Sequence, residues 1–195
     1  MLTGMEIIKR VEKGEIVISD FDPAKVNPNS YNLHLDSVLK QYAFDKTIIT
    51  NADGSYDTVS VAGASGVLDC KQNNPTIELK IPENGFIVLQ PGILYLGSTI
   101  EYTSCENLIP CIDGRSSIGR LGIQVHATAG FGDVGFKGKW TLELSCIHPI
   151  RIYAGMEICQ IYFEEPVGDT SIKYRGKYQN QDGAISSKLF TEFSK

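Results

Sequence analysis

The sequence has no CxxC pair, no excess of basic charge and no apolar run of membrane-spanning length, and each absence removes a class of protein. Its five cysteines, Cys70, Cys105, Cys111, Cys146 and Cys159, are odd in number and sit mostly beside apolar residues. That is the setting of reduced core thiols, not of a disulfide framework. With 18 Lys and Arg against 23 Asp and Glu, the formal net charge is -5. A protein that coats nucleic acid needs a basic surface to neutralise many phosphates, so no nucleic-acid partner is expected. The stretch from Met1 to Glu6 carries no basic region followed by an apolar core. Together these features predict a cytoplasmic protein without a membrane anchor.

What is present is enough apolar material for one sizeable core: 42% of 195 residues are hydrophobic. A single domain over 1–195 is the expectation. Thr3 and Glu6 form a capping box, Met5, Ile8 and Val11 follow at helical spacing, and Gly14 supplies a stop, which predicts one short N-terminal helix. Beyond Pro28 the period changes. Tyr31, Leu33 and Leu35 alternate with Asn32 and His34 as in a half-buried strand, and short β-rich runs follow at 76–81, 86–89, 94–97, 108–112, 140–144 and 158–163. The reading is a mainly β sandwich or barrel. The stretch 51–56 reads as a turn within an insertion, and 73–75 as another turn. From about 167 to 195 the chain is polar and poor in aliphatics, so it must stay mobile or fold over a ligand or neighbour.

Two stretches carry the chemistry. In Gly114-Arg115-Ser116-Ser117-Ile118-Gly119-Arg120, two arginines flank serine hydroxyls and glycine-freed N–H groups. Such a set can grip several phosphate oxygens, and it equally fits a solvated turn with surface arginines. A P-loop is not available at Gly138-Lys139, because Asp133 stands where the first glycine belongs and Trp140 where Ser or Thr is needed. The second stretch runs from His126 to Leu144, with glycines at 130, 132, 135 and 138 that point to backbone pressed close to a planar ligand. Asp133 sits inside that loop. Glu143 lies between Leu142 and Leu144, so if the leucines enter the core its carboxylate points to the opposite face. Lining a pocket, it is a candidate general base; facing water, it is an ordinary surface glutamate. His126 reads as a satisfied structural histidine, and His34 and His148 as structural or exposed.

These stretches resemble the dCTP deaminase family of the dCTP deaminase and dUTPase superfamily. Asn27 to Leu33 is similar to its N-terminal signature, Gly114 to Arg120 to its phosphate motif, Thr128 to Leu144 to its base-pocket and catalytic segment, and Lys177 to Gln181 with Gly183 to its closing segment. The resemblance implies a distorted β-barrel that forms a homotrimer, with sites at subunit interfaces covered by the tail. It implies hydrolytic deamination of dCTP to dUTP and ammonia. Zinc deaminases need an H-x-E or C-x-E segment and a P-C-x-x-C pair, and the sequence holds neither. Magnesium would ride on the triphosphate, with no metal ligand from protein side chains.

By position, Glu143 would activate the water, Ser116 and the Ala129 backbone would hold it, and Arg120 would support charge and orient Glu143. Arg115, Ser116, Ser117, Asp133, Thr141, Tyr174, Lys177 and Gln181 would bind the substrate. Some members continue from dUTP to dUMP and diphosphate, using an aspartate in the glycine loop. Asp133 is that residue here, and Ala129-Gly130-Phe131 favours the two-step version. Gly132 stands where an aliphatic residue is common, which is expected to loosen the loop. The family also implies dTTP as a feedback inhibitor. A plain dUTPase and a non-catalytic nucleotide-binding regulatory trimer are the alternatives.

Overall fold

The computed structural model describes residues 1–51 and 55–193. An α-helix spans Gly4–Glu12, and the Thr3 side chain accepts from the Glu6 N–H at 3.4 Å, which satisfies one of its free amino-terminal donors. Gly14, at φ +72°, ends it. The apolar face differs from the one expected. Ile7 is fully buried, whereas Met5 is 66% exposed. The helix lies so close to the 26–27 backbone that a Cβ on Gly4 would stand 2.2 Å from the Asn27 carbonyl oxygen, and this contact turns Gly4 and Ile7 inward.

The rest is mainly β, and every pairing between named strands is antiparallel. The described strands group into five sheets. The largest runs, in spatial order, Ile123–Gln124, Thr141–Cys146, Tyr95–Ser98, Val38–Tyr42 and Thr76–Lys80. A three-stranded sheet joins Ile109–Gly114, Glu157–Glu164 and Tyr31–His34, and another joins Ile16–Ile18, Thr103–Cys105 and Lys137–Gly138. Two-stranded ribbons pair Ile87–Leu89 with Ile150–Ile152 and Thr47–Thr50 with Tyr56–Val59. The last ribbon flanks the turn expected at 51–56, whose residues 52–54 lie outside the described residues.

Alternation holds best where it matters for the site. In Thr141–Cys146 residues 142, 144 and 146 are buried and 141, 143 and 145 are half-buried. It fails at Tyr31–His34, where Tyr31, Asn32 and Leu33 are all buried. Asn32 tolerates burial because its amide is matched on both ends: Asn27 donates to its oxygen at 2.8 Å and it donates to Glu157 at 3.1 Å. His34, expected to be structural or exposed, is structural. Its Nδ1 lies 2.5 Å from the buried carboxylate of Glu101, a residue 67 positions away.

Four of the five cysteines are buried and none is paired, leaving Cys70 exposed. Burial pushes the Cys105 thiol up to about 12 and raises Cys111, Cys146 and Cys159 as well. No described helix is long and apolar enough to cross a membrane.

Candidate active site

The strand Thr141–Cys146 places Glu143 in the wall of a cavity of about 460 Å³. Its buried neighbours Leu142 and Leu144 are 1% and 0% exposed, so the strand is anchored on the core side and the carboxylate has no freedom to change face. The Ala127 N–H donates to Glu143 Oε2 at 2.7 Å, and the Glu143 N–H donates to the Val125 carbonyl at 2.9 Å. The carboxylate is therefore aimed by a fixed backbone donor.

Ala129, Asp133, Thr141, Tyr174 and Gln181 share this cavity with Glu143. Phe131, Phe136, Trp140, Tyr42 and Tyr178 add aromatic walls, a combination suited to a flat heterocycle. Phe136 packs on Trp140 at 4.8 Å between ring centroids and on Tyr174 at 5.9 Å. Sequence reasoning missed Tyr42, which reaches the cavity from the strand Val38–Tyr42, and gave Tyr178, within the closing segment 177–181, no role of its own.

The stretch 114–120 lies elsewhere in the chain. Arg115 and Ser116 line a second cavity of about 450 Å³ with Asp113, His126 and Ala127; Ser117, Arg120 and Lys177 line neither. Among the described residues only Ala127 borders both cavities. Ser116–Gly119 forms a single helical turn, and Ser116, Ser117 and Arg120 are exposed.

Arg115 is held by Glu157, through Nη2 to the carboxylate at 2.9 Å and Nη1 to the backbone carbonyl at 3.0 Å. A guanidinium has five donors, so these bonds fix its plane and leave others for an anion. Burial works against the Glu157 charge, but Lys25, Arg115 and Asn32 outweigh it and hold the carboxyl below its ordinary range. The stretch around Asn27 thereby braces the start of the 114–120 stretch: Ser30 donates to Gln160 at 2.7 Å, and Gln160 donates to the Gly114 carbonyl at 3.0 Å. Glu157 and Gln160 carried no signal in the sequence, because their partners are more than 40 residues distant.

His126 is not the satisfied histidine expected. Its Nδ1 is buried without a hydrogen-bond partner among the described residues, and Nε2 stands 3.7 Å from Asp113.

The polar tail folds back onto its own chain. Gly138 and Gln181 form a parallel bridge; the Lys139 N–H donates to the Gln181 carbonyl at 3.0 Å, and the Gln181 side chain donates to the Lys139 carbonyl at 2.7 Å. Gly138 has φ +149°, and a Cβ there would stand 3.0 Å from the Gln181 backbone, so only glycine admits the tail this closely. The Thr141 hydroxyl accepts from the Ile185 N–H at 3.1 Å. Lys139 binds Asp182 at 2.8 Å, and its ammonium holds that carboxyl below the usual range. Lys177 pairs with Glu192, which raises the pKa of its ammonium.

Among the described residues no three His, Cys, Asp or Glu side chains cluster in a way that could hold a metal ion.

The sequence compares accordingly. A model of the dCTP deaminase-like family matches residues 1–166. The "dCTP deaminase, dUMP-forming" of Clostridium beijerinckii is 44% identical over 195 residues, covering 100% of this chain and 99% of that protein. The protein of the same description from Leptospira biflexa is 47% identical over 195 residues with the same coverage. Among solved structures, the 2'-deoxycytidine 5'-triphosphate deaminase of Agrobacterium tumefaciens superposes with a TM-score of 0.57 at 19% identity, over 85% of this chain and 48% of that one. This chain spans about half the length of that neighbour, which supports the fold alone. Carried by the family model and by relatives matched end to end, the conclusion is that the chain belongs to the dCTP deaminase-like family.

Proposed function

We propose that this protein deaminates dCTP and carries the resulting dUTP on to dUMP and diphosphate. The observation that carries the reading is Glu143, fixed by the Ala127 N–H at 2.7 Å in the wall of an aromatic cavity it shares with Asp133. The activity named for relatives at 44% and 47% identity supports it.

In the first step Glu143 takes a proton from water as the oxygen attacks C4 of cytosine. That proton passes to the exocyclic nitrogen, the C4–N bond breaks and ammonia leaves, and the proton still on the added oxygen moves to N3 to complete the uracil ring. Ser116 and the Ala129 backbone would hold the water, and Arg120 would steady the carboxylate. In the second step Asp133 would activate a water for attack on the α-phosphorus, with diphosphate leaving. Arg115, Ser117, Thr141, Tyr174, Lys177 and Gln181 would grip the nucleotide. Magnesium, when bound on the triphosphate, would offset its charge.

Arg115 and Ser116 line a cavity apart from Glu143 in one protomer. A complete site is therefore read as shared between subunits of a homotrimer built from barrel-like protomers, with dTTP competing there as inhibitor. The test is to treat the purified protein with chelator, supply dCTP and magnesium, and resolve nucleotides over time. The reading expects dUMP and diphosphate; dUTP alone would leave the first step only, and inertness toward dCTP with cleavage of dUTP would make the protein a dUTPase.

A further inference from the structure

Gly132 was expected to loosen the loop that carries Asp133, and the packing says otherwise. A Cβ on Gly132 would stand 2.6 Å from Trp140 Cη2, 3.3 Å from Pro110 Cγ and 3.4 Å from Trp140 Cζ3, the indole being much the tightest contact. The space next to residue 132 is already filled by the far edge of the indole.

Neither partner is free to retreat. On the loop side, the Gly132 N–H donates to the Pro110 carbonyl at 2.7 Å and the Ile112 N–H donates to the Gly130 carbonyl at 2.6 Å, with an antiparallel bridge between Cys111 and Phe131. On the indole side, Nε1 donates to Thr103 Oγ1 at 2.8 Å, the ring lies against Phe136, and the backbone of Trp140 is bonded both ways to Thr99 at 2.9 Å. Trp140 is only 9% exposed, yet it forms part of the wall of the cavity that holds Glu143 and Asp133. It therefore touches the glycine loop immediately before Asp133 and lies three residues before Glu143 on the adjoining strand.

We propose that Trp140 is the positioning residue of the Asp133 loop, its indole standing in for the side chain that residue 132 lacks. The proposal rests on the two-step reading above and assigns to Trp140 the placement of Asp133, not contact with the reacting atoms. Ordinary contact begins at 3.4 Å, so an added methyl at 132 would force a shift of about 1 Å between loop and ring. Misplacement of a reacting group by that distance costs about a hundredfold in rate.

The experiment compares wild type, Gly132→Ala, Trp140→Phe and the double variant, each checked for fold by circular dichroism, with dCTP deamination and dUTP cleavage measured separately. Gly132→Ala should lose about a hundredfold in dUTP cleavage. Trp140→Phe, which removes the far ring edge, should lower dUTP cleavage by at least tenfold more than deamination. The double variant, with room restored, should cleave dUTP about as well as Trp140→Phe alone. Parallel loss of both steps, no loss in Gly132→Ala, or a folded double variant worse than either parent would overturn the proposal. If the double variant does not fold, the separate effects on the two steps in Trp140→Phe decide.

Trp140 is the sole tryptophan, so acrylamide quenching of wild type and Gly132→Ala reads the packing without turnover. If wild type forms no dUMP, the two-step reading has failed; the packing claim then stands or falls on whether Gly132→Ala alters the quenching.

Discussion

Replacing Glu143 by glutamine removes the proton acceptor while leaving an oxygen where the Ala127 N–H, now 2.7 Å from Oε2, can still donate. The side chain keeps its length and its backbone anchor. Leu142 and Leu144, 1% and 0% exposed, keep the strand in place. The change weakens one charge-assisted bond to a neutral one, a loss of about 1 kcal/mol at a half-buried position, so the melting temperature should move by only a few degrees. The chemical step loses its base. General-base catalysis contributes about 10²–10⁴-fold, so kcat for dCTP deamination should fall by that factor with KM within about threefold of wild type. Single-turnover assays with nucleotide separation would read both. Retention of full deamination by Glu143→Gln would refute the assigned role, and a matched collapse of KM and stability would mean that the residue is structural.

Three further outcomes follow from the packing. Lys139→Met or Asp182→Asn removes the ion pair beside the docked tail and should raise KM for dCTP by about twofold to fivefold, with the effect shrinking at high salt. Because Lys139 lowers the Asp182 pKa, this contribution is present above the ordinary carboxylate pKa of about 3.9 and is lost only as pH falls through the depressed value; KM should not change on this account between pH 6 and pH 8. Leu144→Ala, at a fully buried position, should cost about 2–5 kcal/mol in denaturant unfolding; a cost below about 1 kcal/mol would mean the strand is not anchored as described. In the folded protein at neutral pH one thiol of five, Cys70, should react rapidly with a thiol reagent, since the other four are buried with raised pKa values; fast labelling of Cys105 or Cys159 would contradict their burial.

The parts legible in the sequence were those set by a local period. Leu142-Glu143-Leu144 told which way the carboxylate points, because side chains on a strand alternate and two leucines left little choice of face. The helix over 4–12 was legible from its cap, but its buried face was not, because a close approach at Gly4 to the 26–27 backbone overrode the Met5, Ile8, Val11 stripe. Contacts between distant segments carried no sequence signal: His34 with Glu101, Arg115 with Glu157, Ala127 with Glu143. The exchange of bulk between Gly132 and Trp140 was equally hidden, since the seven residues between them, a loop followed by the two-residue strand Lys137–Gly138, give no spacing rule that brings them together.

The most direct measurement supplies labelled dCTP and magnesium together with excess unlabelled dUTP, and follows the label. A protein that runs both steps in one site should yield labelled dUMP from the first turnovers, with little label passing through the dUTP pool. Label that accumulates as dUTP, or that stays in dCTP, would contradict the account.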